Sequence, residues 1–285
     1  MDFGLVLPSF GHLAQVDNVV SVARAAEDLG YSSVWAAERL LVPVPPNQSW
    51  SRRNPTAFEP LVSLAYVAAL TKRIRLGTSV IILPARNPVL LARAAASLDV
   101  LSGGRLELGV GIGWMRQEME ASGVPFGERG RLADEYIAVL RKVWRGKGHR
   151  GRFVQVPPVL FEPKPIRGTI PIWVGGNSDA ALDRVARLGD GWIPMGTFEP
   201  KALKAKVDRI TKMAEGLGRR GEFGISCNHE FSEQSLEDPQ GCIDMVDSYQ
   251  NAGATQLMPR FECESASSMV KMMTEFAHHV IASFS

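Results

Sequence analysis

Three glycines spaced two apart, Gly109, Gly111 and Gly113, sit at the end of a run of apolar residues. On a strand, residues two apart share a face, so this face would carry no side chains. Glycine weakens a strand and often marks the close approach of a ligand or another backbone. Two readings stay open: tight packing in a narrow barrel, or a planar cofactor or substrate against bare backbone. The G-x-G-x-G spacing is not the dinucleotide fingerprint, and no clear ribose-binding acid follows a second strand. A second motif, residues 173–179, reads WVGGNSD. If it ends a strand and opens a helix, the free amides of Gly175 and Gly176 and the helix dipole make an anion site suited to phosphate. The alternative is a plain tight turn with Asn177 or Ser178 as the cap. Asp179 would repel a phosphate, so it should point away.

Four further positions carry titratable groups at or just beyond the ends of expected strands. Glu38 could serve as a general acid or base, or hold a cofactor ring N–H; it could equally form a structural ion pair with a neighbour. His12 and His229 are isolated histidines, and such residues are usually structural hydrogen-bonding groups. Arg260 could bind an anionic substrate or the cofactor, or stand as an exposed charge. No metal site is expected: no H-x-H follows the first strand, no H-E-x-x-H occurs, and the five histidines are scattered. No G-x-S-x-G elbow supports nucleophilic hydrolysis. Cys227, Cys242 and Cys263 form neither a disulfide framework nor a zinc pattern; buried thiols in a reducing cytoplasm are expected.

The elements that must hold these residues alternate regularly. Strands are predicted at 3–8, 33–38, 74–83, 106–112, 172–175, 191–195, 223–230 and 255–261. Most are nearly all apolar, as parallel strands buried on both faces should be. Helices fill the gaps. Thr56 and Glu59 suggest a capping box before a helix at 61–72. Asn87 and Pro88 suggest an N-cap and first-turn proline, with Gly103 closing that helix. Eightfold alternation within 285 residues predicts an α/β fold, a single (β/α)8 TIM barrel spanning 1–285, with its site at the C-terminal strand ends. Two proline-rich segments, 42–54 after the second strand and 150–168 before the fifth, read as insertions, the first as a lid. The 32 basic and 30 acidic residues give a net +2, too balanced to suggest a nucleic-acid or membrane-surface partner. With no basic leader and no long apolar run, a soluble cytoplasmic chain is expected.

Several motifs together resemble a known family. Residues 97–114 (SLDVLSGGRLELGVGIGW) look like the hallmark of the luciferase-like flavin or deazaflavin oxidoreductases. The segments 124–131 (VPFGERGR), 161–165 (FEPKP), 171–176 (PIWVGG) and 188–192 (LGDGW) are also similar to that family, in order and spacing. The resemblance implies a (β/α)8 barrel in which the flavin ring lies over a non-prolyl cis peptide ending the third strand. The matching residues place that bond at Ser79–Val80. It implies cofactor phosphate on Gly175, Gly176 and Asn177, with Gly111 near the ring and Gly113, Trp114 and Gln117 beside it. The pattern most resembles the subgroup that uses coenzyme F420, an obligate hydride carrier; FMN with oxygen-dependent monooxygenation is the alternative. A barrel that binds a flavin or another ligand without turnover is the third reading. That subgroup often has Asp-His at the end of the second strand, where this chain has Glu38-Arg39. Glu38 and His229 are then the catalytic candidates, and His12, Arg39 and Arg260 the substrate-side ones. The expected partners are a small-molecule substrate, a second copy in a homodimer, and a flavin or F420 reductase if the redox cycle is coupled.

Overall fold

The computed structural model describes residues 1–42, 56–219 and 221–284. The expected lid at 42–54 therefore falls almost wholly outside the described residues. Eight parallel strands close on themselves: β1 (Asp2–Val6), β2 (Ser33–Ala36), β3 (Arg75–Thr78), β4 (Leu106–Gly111), β5 (Ile172–Gly175), β6 (Gly191–Ile193), β7 (Gly224–Phe231) and β8 (Gln256–Phe261). Each pairs with the next. Closure comes where Phe3 of β1 stands opposite Leu257 of β8, and Leu76 opposite Leu106 joins β3 to β4.

Eight main helices surround the strands: α1 (Val16–Asp28), α2 (Pro60–Leu70), α3 (Pro88–Leu101), α4 (Arg129–Val143), α5 (Asp179–Leu188), α6 (Pro200–Gly216), α7 (Pro239–Asn251) and α8 (Ala266–His279). The chain is thus the α/β barrel that its alternation predicts. Asn87 caps α3, accepting the Val89 and Leu90 amides at 2.9 and 3.1 Å, and Gly103 follows with φ of 74°. The capping box at Thr56 is not formed. Glu59 itself is the N-cap of α2, its carboxylate accepting the Val62 amide at 2.6 Å, because Pro60 takes the first helical position. The second insertion, 150–168, begins in a short antiparallel hairpin pairing His149–Arg150 with Gln155–Val156.

Two cores follow from strand alternation. Outward residues such as Leu5, Val34, Leu76 and Leu108 pack under the helices. Inside the barrel, Trp35, Trp173, Ile193 and Met258 form a separate cluster. The two indoles meet edge to face at 5.6 Å. Glycines at 77 and 224 make room for them, since a Cβ at either would strike an indole. This aromatic plug fills the barrel and leaves the C-terminal strand ends as the place for a cavity.

Candidate functional site

A cavity of about 680 Å³ opens there. One wall comes from the end of β3. The sequence pattern predicts one strand through 74–83, but the chain breaks after Thr78. The Ser79–Val80 peptide is cis, at the place implied by the family resemblance, and Ile81–Ile82 resumes pairing with β4. The Ser79 amide donates to the Ala36 carbonyl at 2.8 Å, and Val80 packs on the indole cluster.

The glycine face of β4 belongs to this bulge. A Cβ on Gly109 would collide with the Thr78 carbonyl oxygen, and one on Gly111 would fall 2.6 Å from Val80 Cγ2. Across the bulge, a Cβ on Gly175 would reach Val80 Cγ1 at 3.0 Å. Of the two readings of this face, close backbone approach accounts for Gly109 directly, while Gly111 still lines the cavity. Gly113 does not continue the face. β4 ends at Gly111, and Gly113 turns the chain with φ of 74°.

The β5–α5 loop forms a second wall. Its geometry corrects one expectation: the Gly176 amide is not bare but donates to the Ile193 carbonyl at 3.2 Å. The Gly176 carbonyl in turn accepts Trp192 Nε1–H at 2.8 Å. Among the described residues, the amides of Asn177, Ser178 and Asp179 have no such acceptor. The Asn177 side chain clamps the next loop, donating to the Met195 carbonyl and accepting its amide, both at 2.8 Å. Lys206 Nζ donates to the Asn177 carbonyl at 3.2 Å. Asp179 points away, toward Arg209 at 2.6 Å.

Among the described residues, three charged side chains line the cavity: Glu38, Arg39 and Arg260. Glu38 is nearly fully buried. One carboxylate oxygen pairs with Arg86, and the other accepts the Ile82 amide. Burial pushes the Glu38 carboxyl above its usual range, against the lowering pull of Arg86 and that amide. Arg39 forms a 3.0 Å pair with Glu118, whose side chain is fully buried, and lies 5.0 Å from the centre of the Trp114 ring. Arg260 stands at the end of β8, 3.9 Å from Glu230.

Three expected site residues lie elsewhere. His229 shares the outward face of β7 with Phe231, packed against it and Tyr249 of α7. Its Nδ1 meets the Tyr249 hydroxyl at 3.1 Å. Strand alternation explains the miss: the neighbouring positions, not His229, face the barrel. His12 is exposed on a 3-10 turn at Gly11–Leu13, and Phe10 lines the cavity instead. Gln117 is exposed on the short helix Arg116–Ala121. Sequence reasoning missed Phe10 and Met195, which the strand-end rule could have found. It also missed Arg86 and Glu118, whose partners no spacing reveals. Among the described residues, no group of three or more His, Cys, Asp or Glu side chains could hold a metal ion. No helix there is long and apolar enough to cross a membrane.

Comparison with known proteins agrees with this architecture. The barrel superimposes on a monooxygenase, RslO1, from Streptomyces bottropensis with a TM-score of 0.84 and 18% identity, covering 100% of both chains. It superimposes on the coenzyme F420-dependent tetrahydromethanopterin reductase of Methanopyrus kandleri with a TM-score of 0.80 and 18% identity, covering 100% of this chain and 99% of that one. The uncharacterised protein Rv0940c of Mycobacterium tuberculosis is 31% identical over 282 residues, which is 92% of this chain and 94% of that protein. A family model described as luciferase-like monooxygenase matches residues 1–233, and the chain therefore belongs to the luciferase-like monooxygenase family.

Proposed function

We propose that this chain is an oxidoreductase that transfers a hydride between bound coenzyme F420 and a small organic substrate. The observation that carries this reading is the pairing of the Val80 bulge with the β5–α5 loop across one cavity. The residues fit a flavin-type group. The cavity volume falls in the range of ligand sites. The bulge offers an apolar seat beside a planar ring, and the amides from Asn177 to Asp179 suit a phosphate at the start of α5. Ser79, Val80, Gly111, Gly113 and Trp114 would border the ring, and Gly175, Gly176 and Asn177 the phosphate. The choice of F420 over FMN rests on the overall motif pattern of the sequence. When bound, the deazaflavin supplies the hydride chemistry.

The protein's own part is binding, orientation and proton control. Glu38 is the carboxyl group among the described lining residues. Its raised pKa suits it to hold the proton that accompanies hydride transfer to a carbonyl. His229, turned into the helix layer, has no part in this reading. Arg39, held by Glu118, fixes Trp114 at the rim. Reduced cofactor would come from a separate reductase. A homodimer would cover the exposed apolar side chains Val62 and Tyr66 of α2 and Leu90 and Leu101 of α3.

The test is parallel titration of the purified protein with F420 and with FMN. Selective micromolar binding of F420 is expected. Selective binding of FMN, with oxygen uptake that depends on reduced FMN, would replace hydride transfer with monooxygenation. Binding of neither would leave a barrel without redox function. Gly176→Asp should abolish cofactor binding by adding bulk and charge, and unchanged affinity would remove the phosphate assignment.

A further inference from the structure

Among the described residues, the three charged side chains that line the cavity differ in how their charge is met. Glu38 is answered by Arg86 and the Ile82 amide. Arg39 is answered by the buried Glu118. Arg260 faces Glu230 at 3.9 Å, with the two side chains 54% and 59% exposed. A pair so long and so exposed contributes little and leaves the guanidinium available.

Position separates Arg260 from the phosphate loop. Met258, two residues earlier on β8, packs on the indole cluster, so Arg260 shares the inward face. β8 adjoins β1 and β7 and lies three strands from β5. Arg260 therefore lines the same cavity as the Gly175–Gly176 loop, from a strand three positions away. Apolar side chains of the described lining include Phe10, Val80, Trp114 and Met195.

We propose that Arg260 recognises the substrate, and that the substrate class is a small monocarboxylate with an apolar body. A guanidinium presents two parallel donors that match a carboxylate. Among the described lining residues the other two charges have close partners, and a single guanidinium opposed only by a distant, exposed carboxylate suits a monoanion better than a phosphate dianion. The apolar body would lie along Phe10, Trp114 and Met195. This assignment rests on the reading that the β5–α5 loop takes the cofactor phosphate, which leaves the β8 side for the substrate.

The test uses the full chain and two probes of one shape, hexanoate and hexanamide, with binding followed by saturation-transfer NMR. Wild type should bind hexanoate more tightly than hexanamide. Arg260→Gln should weaken hexanoate by about tenfold, the loss of a charge-assisted bond, and leave hexanamide unchanged. Glu230→Gln should tighten hexanoate. Equal binding of both probes by wild type, or hexanoate binding that survives Arg260→Gln, overturns the proposal. Inorganic phosphate displacing hexanoate at lower concentration overturns the carboxylate class. Each variant is also titrated with F420 and FMN. Loss of cofactor binding in Arg260→Gln would assign this arginine to the cofactor and overturn the proposal. If wild type binds neither cofactor yet prefers hexanoate through Arg260, the redox reading fails and the anion site stands.

Discussion

Val80 occupies the space that a side chain on Gly111 would need. An ideal Cβ at Gly111 would lie 2.6 Å from Val80 Cγ2 but 3.7 Å from Val80 Cβ. The two residues are thus coupled through one methyl group. Gly111→Ala should destabilise the protein by about 1–3 kcal/mol, the usual cost of overpacking. Adding Val80→Ala removes the methyl and should recover most of that loss. Urea unfolding of the two single variants and the double variant measures the coupling; additive losses would separate the two residues. Gly109→Ala should resist the same rescue, because its clash is with the Thr78 backbone carbonyl.

Asn177 links two loops through one amide group, donating to and accepting from Met195. Asn177→Asp cannot donate to the Met195 carbonyl, and it adds negative charge beside the amides proposed for phosphate. Cofactor affinity should fall by at least about tenfold, the scale of one charge-assisted bond. Asn177→Ala, which loses the clamp without adding charge, should fall between. Equal affinities of the two variants would detach the effect from phosphate.

Much of this could be read in the sequence, and the misses share a cause. Apolar runs and glycine and proline punctuation located all eight strands, because burial on both faces leaves a one-dimensional signature. The alternation of those runs with helices gave the barrel. The place of the cavity was legible in the strand ends, as at Gly175–Gly176, but the Gly176 amide, read as bare, is taken by the Ile193 carbonyl. The site was not legible where a side chain's direction decides it. His229 ends a strand, as a site residue should, but strand parity turns it outward, and a one-residue register difference cannot be read from an apolar strand. In the sequence Glu118 is one of two acids in the polar segment 116–120 and carries no mark of its own. Its burial against Arg39 arises only when the β2 and β4 ends meet. The G-x-G-x-G face left packing and ligand readings open; at Gly109 the close group is the Thr78 backbone of the neighbouring strand, while Gly111 lines the cavity.

His229 belongs to a hydrogen-bonded chain in the helix layer. The Tyr249 hydroxyl donates to the Phe198 carbonyl at 2.9 Å, so its oxygen accepts from His229 Nδ1–H. His229→Leu should cost about 1 kcal/mol of stability and leave F420 and FMN affinity unchanged. Burial holds the His229 pKa below 6.5, with Glu199 and Glu230 opposing. The unfolded chain then takes up the proton first as pH falls. Wild type should lose stability as pH drops below about 6.5, and the variant should lose less. Unfolding curves across that range check the sign; a large loss of cofactor affinity would return His229 to the site.

Glu38 gives the opposite sign. Its folded-state pKa lies above 4.5 because burial disfavours the carboxylate. Stability from the protonated form is complete below that value and is lost as pH rises through the folded pKa. Glu38→Gln keeps the shape and cannot ionise, and Arg86 keeps its 2.7 Å contact with Glu59. The variant should therefore show a flatter stability profile over that window. The same titration should govern turnover if Glu38 carries the proton. In the direction of carbonyl reduction, wild-type kcat/KM should fall as pH rises and the acid form is depleted. Glu38→Gln should be about a hundredfold slower, the typical scale of general acid catalysis, and should lack that limb. An alkaline limb that persists in Glu38→Gln belongs to another group and would leave Glu38 as the anchor of Ile82 and Arg86 alone.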